Sequence, residues 1–407
     1  MLLYSVQSCW IPPSLPGKRC KFFGGWSEGV RNHSISYINI CSMDRINSGS
    51  LSVDDIVSVA WMFDIGKVVD ISRYGGGRIN ETFLVQTLAG PGEKKDEHNY
   101  VLQKLHRIFS PLVLTDMDVI TNRLEAAGLI TPKLVRTLTG ELGITLDGSC
   151  WRMLTYIPGM TCEKGITARM AKEAASLVGR FHNALYGLDY EFLHKIPGFH
   201  DIEAIMTGLD KTACAYRGTE KYSALFPLAE RVLAEYQNME KSLQKLPDRV
   251  IHGDLKLNNV RFDESGQEAV CLLDLDTLGR DKVVIDIGDA VRSWCGSSED
   301  GEEGCKEEGS CFDLDIFQSM MEGYIPEAAF LSGDEKAAIS EGVATVTLEL
   351  SARFITDAFE ETYFTLDRER YPSLYEQNRA KATAQMRFYD DFQKHRTRAE
   401  QFIAHYM

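Results

Sequence analysis

The run Val250-Ile251-His252-Gly253-Asp254-Leu255-Lys256-Leu257-Asn258-Asn259-Val260, followed by Val270-Cys271-Leu272-Leu273-Asp274-Leu275-Asp276-Thr277, decides how this chain is read. A His-x-Asp-x-x-x-x-Asn loop lies between two β-like runs, and a further Asp ends a strand 20 residues after the first. The pattern brings together three groups suited to hold ATP, a metal ion and a hydroxyl. Asp254 can accept a hydrogen bond from an attacking hydroxyl and orient it. Asn259 and Asp274 offer hard oxygen atoms to Mg²⁺, which demands near-octahedral geometry. Phosphoryl transfer needs mostly positioning and charge neutralisation, so a set of this kind suffices for it. A plain turn in which Asp254 only bonds its own backbone is the alternative, and it requires three independent spacings to coincide by chance.

With a small residue after His252, the loop resembles the aminoglycoside phosphotransferase and choline kinase superfamily more than the eukaryotic protein kinases, which carry His-Arg-Asp. The resemblance implies an α+β, bilobal protein-kinase-like fold with a β-rich N-lobe and a mainly α C-lobe. Asp286-Ile287-Gly288-Asp289-Ala290-Val291-Arg292 is similar to the Asp-x-(Gly/Ala)-Asp segment by which that superfamily braces its catalytic loop. A helix N-terminus capped by Asp286 or Asp289 is the other reading. His252 and Asp276 enter as supporting residues, Asp276 as a candidate to order metal-bound water.

At 407 residues the chain exceeds the usual size of a single core, so two lobes are expected. A formal net charge of −15 argues against nucleic acid and anionic membrane surfaces as partners. An acidic surface suits cationic substrates without naming one. The ten cysteines contain no Cys-x-x-Cys pair, so neither a disulfide framework nor a zinc site follows, and Cys271 in its apolar strand reads as a small buried hydrophobe. That usage suits a reducing, cytoplasmic location. No stretch approaches the length of a membrane-spanning helix. Residues 1–42, punctuated by Trp10, Pro12, Pro13, Pro16, Gly24 and Gly25, lack periodicity and make a poor signal peptide. The expected division is an unpatterned extension over 1–42, for which disorder is one reading, a nucleotide-binding N-lobe over 43–156, and a catalytic, sugar-binding C-lobe over 157–407.

Val53 to Met62 patterns as a short helix. Lys67 to Arg73 and Glu81 to Leu88 pattern as strands flanking Tyr74-Gly75-Gly76-Gly77-Arg78-Ile79-Asn80, with a third strand over Asn99 to Leu105; the arrangement resembles the front sheet of a kinase N-lobe. Gly75, Gly76 and Gly77 would let backbone N–H groups approach nucleotide phosphates, although a ligand-free hairpin turn has the same composition. The superfamily carries a phosphate-holding Lys on its third strand. Here Gln103 aligns with it and Lys104 follows one residue late, on the opposite face unless a bulge intervenes, so both stand as nucleotide-side candidates. Asp116 to Gly128 patterns as a helix whose Asp118 and Glu125 either orient a cation or lie on its solvated face. Cys150 to Gly159 reads as a strand ending in a turn and resembles the hinge that receives adenine, with Tyr156 in it. Ala168 to Leu185 patterns as a helix carrying a packed His182. Glu299 to Glu308 is an acidic loop, and helices are expected over Asp315 to Tyr324, Asp334 to Glu360 and Ser373 to Ile403.

Beyond the loop, Trp151 to Gly159, Lys195-Ile196-Pro197-Gly198-Phe199-His200, Leu273 to Thr277, Phe312 to Phe317 and Leu348-Glu349-Leu350-Ser351-Ala352-Arg353-Phe354 resemble bacterial N-acetylhexosamine 1-kinases. That resemblance implies ATP-dependent phosphorylation of the anomeric hydroxyl of N-acetylglucosamine or N-acetylgalactosamine. The third strand of that family also looks Gln-like. ATP with Mg²⁺ and a small amino sugar are the implied partners. Arg292 and Arg353 are candidates to grip sugar or phosphate oxygens with forked donors, ion pairing being the alternative for Arg353. The rivals are an aminoglycoside, choline or homoserine kinase, or a nucleotide-binding scaffold lacking the third-strand Lys. The complete Asp254, Asn259 and Asp274 set argues against the scaffold.

Overall fold

The computed structural model describes residues 52–75, 79–88, 97–162, 165–239, 242–296 and 311–407. Residues 1–42, Gly76, Gly77 and the acidic stretch 299–308 lie outside them. Ser52 caps α1 (Val53–Ala60) in a capping box: its Oγ accepts from the Asp55 N–H, and Asp55 Oδ2 accepts from the Ser52 N–H at 2.9 Å. β1 (Lys67–Arg73), β2 (Glu81–Leu88) and β3 (Glu97–Lys104) follow, then α2 (Val113–Ala126), β4 (Leu134–Val135), β5 (Ile144–Leu146) and β6 (Ser149–Thr155). The strands make one antiparallel sheet ordered β1-β2-β3-β6-β4, with β5 also on β6.

Side-chain alternation gives this sheet two different faces. Phe83, Val85, Leu102, Trp151 and Met153 turn to α1 and form a core with Ile56, Val59 and Phe63. Val101, Cys150 and Leu154 turn the other way and join the core of the helical lobe. α2 begins three residues before the expected Asp116. Within it Asp116 is a buried acceptor, taking bonds from Tyr190 Oη (2.7 Å), Leu193 N (2.9 Å) and His194 N (2.8 Å).

After β7 (Met160–Thr161) the chain is mainly helical: α3 (Ala168–Leu185), α4 (Ile202–Ala215) and α5 (Phe226–Asn238). Short β8 (Asp248–Ile251), β9 (Val260–Phe262), β10 (Ala269–Leu272) and β11 (Gly279–Lys282) bracket the quoted loop and lead into α6 (Val283–Trp294). α7 (Leu314–Glu327), α8 (Gly333–Ala337), α9 (Ile339–Glu360) and α10 (Leu374–Ala404) complete it. The single helix expected over 334–360 is two, because Ser332 caps a separate turn in which buried Glu335 folds back to its cap and ties Arg249 of β8 at 2.9 Å. α6 and α9 cross closely: a Cβ on Gly288 would lie 2.6 Å from the Gly342 carbonyl, and one on Gly342 would lie 2.1 Å from that of Val284. This crossing carries Glu349 and Arg353 of α9 toward the loop that ends β8.

Cys150, Cys214, Cys271 and Cys295 are free thiols, whereas Cys311 is disulfide-bonded, which its spacing in the sequence does not foretell. Among the described residues no helix is long and apolar enough to cross a membrane.

Candidate functional site

β8 pairs antiparallel with β11 as far as Ile251↔Gly279, and the quoted loop leaves the sheet there. Gly253 turns with φ +84°, and a Cβ on it would meet the Thr277 carbonyl at 2.6 Å, so both conformation and space require glycine. Asp286 holds the turn from inside α6: one carboxylate oxygen accepts from His252 N (2.6 Å), the other from Gly253 N (2.7 Å). It is therefore a brace and not a helix cap, the N-cap position being Lys282. His182 Nε2 lies 2.9 Å from Asp286, and its Nδ1 2.9 Å from Tyr324 Oη. Burial acts to raise the Asp286 carboxyl, but His182 and His252 outweigh it and hold the group below its ordinary value. His252 accepts from the Asp254 N–H at Nδ1 (3.3 Å) and donates from Nε2 to the Leu273 carbonyl (2.8 Å). It thereby joins Asp254 itself to the residue before Asp274.

Asp254 Oδ2 accepts from Lys256 Nζ at 2.7 Å and from Asn259 Nδ2 at 3.1 Å. Burial pushes this carboxyl up, and the Lys256 ammonium, His252 and Arg292 together bring it below the usual value, so it is ionised at neutral pH. Sequence reasoning passed over Lys256, although a lysine two residues from the candidate base stands in the quoted run. Asn259 spends its Nδ2 on Asp254, bonding the backbone carbonyl at 2.8 Å as well, which leaves Oδ1 as the atom to offer a cation. Asp274 adopts a left-handed backbone (φ 60°, ψ 59°), a conformation that non-glycine residues hold where function or packing imposes it. It reaches solvent while protein crowds it. That crowding, with Asp276 and Asp254 nearby, lifts its carboxyl above the ordinary value against the pull of Lys256 and Arg152. Crowded carboxylates beside a free amide oxygen fit a divalent cation. Among the described residues no cluster of three or more His, Cys, Asp or Glu forms a protein cage, and an ion such as Mg²⁺ takes only one or two such ligands beside phosphates and water.

Above this loop the sheet supplies a buried network. β3 and β6 pair with Gln103 opposite Arg152, both on the face toward the helical lobe. Arg152 Nε and Nη2 donate to Gln103 Oε1 at 2.9 and 2.7 Å, and Gln103 Nε2 donates to Thr82 Oγ1 at 3.2 Å. Both Nη atoms of Arg152 also bond the Asp276 carboxylate, Nη2 at 2.9 Å, and Asn80 Nδ2 adds a third bond at 2.8 Å. Asp276 is thus engaged by the sheet through Arg152 and by Asn80. The β2–β3 register runs unbroken from Glu81↔Lys104 to Leu88↔Glu97, with no bulge. Lys104 accordingly lies on the α1 side, 3.3 Å from Glu81 and over the Trp151 ring, away from the candidate nucleotide site. Gly75 has φ +72°, and Tyr74 beside it meets Tyr156 edge-on at 6.0 Å. Arg261 joins them, donating to Tyr156 Oη at 3.0 Å and to the Ile157 carbonyl at 3.0 Å. Asp118 and Glu125 pair with Arg136 and Lys133, and neither reaches the loop residues described above.

On the other side of Asp254 a second polar group forms. Arg292, buried, donates from Nε and Nη2 to Asp289 at 3.1 and 2.7 Å. Arg353 lies 3.7 Å from Glu349, donates to Tyr363 Oη at 3.0 Å and covers the Phe199 ring. His200 bridges Glu349 and the Gly253 carbonyl, at 3.0 Å each. His200 and Glu349 lie within the stretches quoted above, but nothing local marks them. Their one signal is a charge set in an apolar helix, as in Leu348-Glu349-Leu350.

Residues 70–315 match the model of the phosphotransferase enzyme family (APH). A homoserine kinase of Paramagnetospirillum magneticum is 25% identical over 299 residues, spanning 71% of this chain and 81% of that protein. The fold is similar to that of an aminoglycoside phosphotransferase from Alicyclobacillus acidocaldarius, with a TM-score of 0.59 at 14% identity over 89% of this chain and 100% of the other. It is also similar to amicoumacin kinase solved with AMP-PNP, Ca²⁺ and Ami, at a TM-score of 0.54 and 14% identity over 82% of this chain and 93% of that one. The α+β, two-lobed kinase-like fold is thus the one adopted, and, with the family match covering more than half its length, the chain belongs to the phosphotransferase enzyme family.

Proposed function

We propose that this chain is an ATP-dependent small-molecule kinase that transfers the γ-phosphoryl group to the anomeric hydroxyl of an N-acetylhexosamine, giving the sugar 1-phosphate. One observation carries the choice of a neutral acceptor. Beyond Asp254, Glu349 is engaged by His200 and Arg353, and Asp289 by Arg292, so these carboxylates are already matched by cations. An aminoglycoside or choline would bring an ammonium group to a place where both are spent. A polyhydroxylated, uncharged ring suits forked Arg donors instead.

Ionised Asp254 accepts from the acceptor hydroxyl, aligns its lone pair with the γ-phosphorus and takes its proton as the new P–O bond forms and the bond from the γ-phosphorus to the β–γ bridging oxygen breaks, ADP leaving with that oxygen. Lys256, 2.7 Å from Asp254, places positive charge where the phosphoryl group passes. Asn259 and Asp274 would hold Mg²⁺, which when bound neutralises phosphate oxygens. On this reading residues 43–156 hold the nucleotide, with Tyr74, Tyr156 and the Gly75 turn at its mouth, and residues 157–407 carry the catalytic and acceptor groups.

A homoserine kinase is the second reading, favoured by the similarity to that enzyme of P. magneticum. The test is purified protein with Mg-ATP against N-acetylglucosamine, N-acetylgalactosamine, glucose, homoserine, kanamycin and choline, scored by ADP release and phosphorus NMR. An anomeric phosphate, abolished in Asp254→Asn while ATP still binds, is expected. O-phosphohomoserine or a phosphorylated amine-bearing acceptor would overturn the sugar assignment.

A further inference from the structure

His200 stands where the catalytic loop meets α9. Its Nδ1 lies 3.0 Å from Glu349 Oε2 and its Nε2 3.0 Å from the Gly253 carbonyl oxygen. A carbonyl and an ionised carboxylate only accept, so both contacts are hydrogen bonds only when both ring nitrogens carry protons. Glu349 is ionised: burial pushes its carboxyl up, and His200, Arg353 and Arg292 outweigh that and hold it below the ordinary value. Both side chains are almost wholly enclosed, 7% and 3% exposed. His200 also has a left-handed backbone (φ 56°), a strained choice for a residue with a Cβ, and Phe199 packs on its ring at 4.2 Å.

We infer that His200 is a positioning residue that works only as the imidazolium, clamping the Gly253 carbonyl, and with it Asp254, to the acceptor-side helix α9. The inference rests on Asp254 being the residue that acts on the acceptor hydroxyl. The peptide ahead of Asp254 is then gripped by opposite charges: anionic Asp286 on the N–H groups of His252 and Gly253, cationic His200 on the carbonyl of Gly253. A neutral ring keeps its Nε2–H on Gly253 only by turning the Nδ1 lone pair toward a carboxylate, which repels it. The charged groups around the ring are Glu349 of α9, Asp289 of α6 and Asp281 of β11, with Arg353 and Arg292 acting on Glu349. Burial lowers the imidazolium pKa, and Glu349 with the Gly253 bond more than reverses this, raising it to about 9. The clamp is intact at neutral pH. Because the folded value is raised, its stabilisation is fully present below the unfolded value and is lost as pH rises through about 9.

Two measurements on the full chain test this. In protein labelled with ¹⁵N-histidine, the His200 resonances, identified by their loss in His200→Gln, should show both nitrogens protonated at neutral pH and until the approach to about pH 9. A neutral tautomer at neutral pH overturns the inference whatever the acceptor is. In turnover, His200→Gln should lower kcat by about 10²-fold with little change in the KM for ATP, as expected for a displaced reacting group. Glu349→Gln removes the carboxylate that raises the His200 imidazolium pKa, so it should move the alkaline fall of kcat to lower pH. A parental kcat in His200→Gln, or an alkaline fall unmoved in Glu349→Gln, overturns the positioning role. A parent protein that phosphorylates no acceptor overturns the functional reading instead, and the nitrogen shifts still decide the state of His200.

Discussion

Replacing Arg152 with methionine should both destabilise the protein heavily and disturb the proposed metal site at Asp274. Arg152 and Asp276 are each 1% exposed, so their charges meet almost no water. The guanidinium gives Asp276 two bonds and Gln103 Oε1 two more, and a fifth contact reaches Met117 Sδ at 3.2 Å. Methionine preserves the length and the apolar packing, but it leaves Asp276 a buried carboxylate with the single bond from Asn80. Removing one partner of a buried ion pair costs about 3–5 kcal/mol. A typical domain is stable by only about 5–15 kcal/mol, so the unfolding midpoint should fall sharply. The double variant Arg152→Met/Asp276→Leu strands neither charge and should recover most of the loss, since apolar replacement of a buried pair is often close to neutral. Arg152 also pulls the Asp274 carboxyl down. The single variant should therefore need more Mg²⁺ for half-maximal turnover at neutral pH, by a larger factor than any change in the KM for ATP. Urea midpoints of parent, both single variants and the double form the assay, with metal titrations beside them. A single-variant loss below about 1 kcal/mol, or losses that simply add in the double, would refute the reasoning.

Asp274 carries the next expectation. Crowding by protein and neighbouring carboxylates raise it, so without metal its contribution to stability is present at low pH and lost as pH rises through its folded value. Metal-free Asp274→Asn should thus melt above the parent at neutral pH, whereas Mg²⁺ should raise the melting temperature of the parent and not that of the variant; calorimetry with and without chelator reads both. Gly253→Ala places a Cβ 2.6 Å from the Thr277 carbonyl at φ +84°. A turn displaced in this way should lower kcat by about 10²-fold or more, and near-parental turnover would show that the loop tolerates another path.

What was readable in the sequence is what lies close along the chain. The Asp254, Asn259 and Asp274 set, the helix from Ala168 to Leu185 and the strands Lys67–Arg73 and Glu81–Leu88 all follow from spacing, periodicity and turn residues. The brace by Asp286 was readable as a resemblance, though the two backbone N–H groups it takes were not. Gln103 was recognised as out of pattern, but its partner was invisible because Arg152 lies 49 residues away and meets it only through the β3–β6 register. The same register settled Lys104, since eight unbroken pairs with β2 leave no bulge to turn it inward. His200 and Glu349 are 149 residues apart and meet because α6 and α9 cross at two glycines and bring α9 to the loop.

The division has a physical cause. Groups that would act on phosphate and hydroxyl must lie within a few ångströms on one loop, so a short sequence can hold them in register. Groups that keep the loop in place must join separate elements, and here they do so through buried opposite charges: Arg152 to Asp276 from the sheet, His182 and the loop N–H groups to Asp286 from α6, Glu349 to His200 from α9. Such pairs add little net stability, because desolvation offsets most of the attraction. Their value lies in the cost of any other arrangement, since each partner left unpaired in the interior is strongly penalised. Asp274 in its left-handed turn and Gly253 at φ +84° are thus held between charges that are satisfied in one relative position of sheet, α6 and α9. A substitution at one of these joints should then act on the geometry of Asp254 or Asp274 without touching a substrate, which is why the Arg152 and His200 variants are more discriminating tests of the site than removal of Asp254 or Asp274 itself.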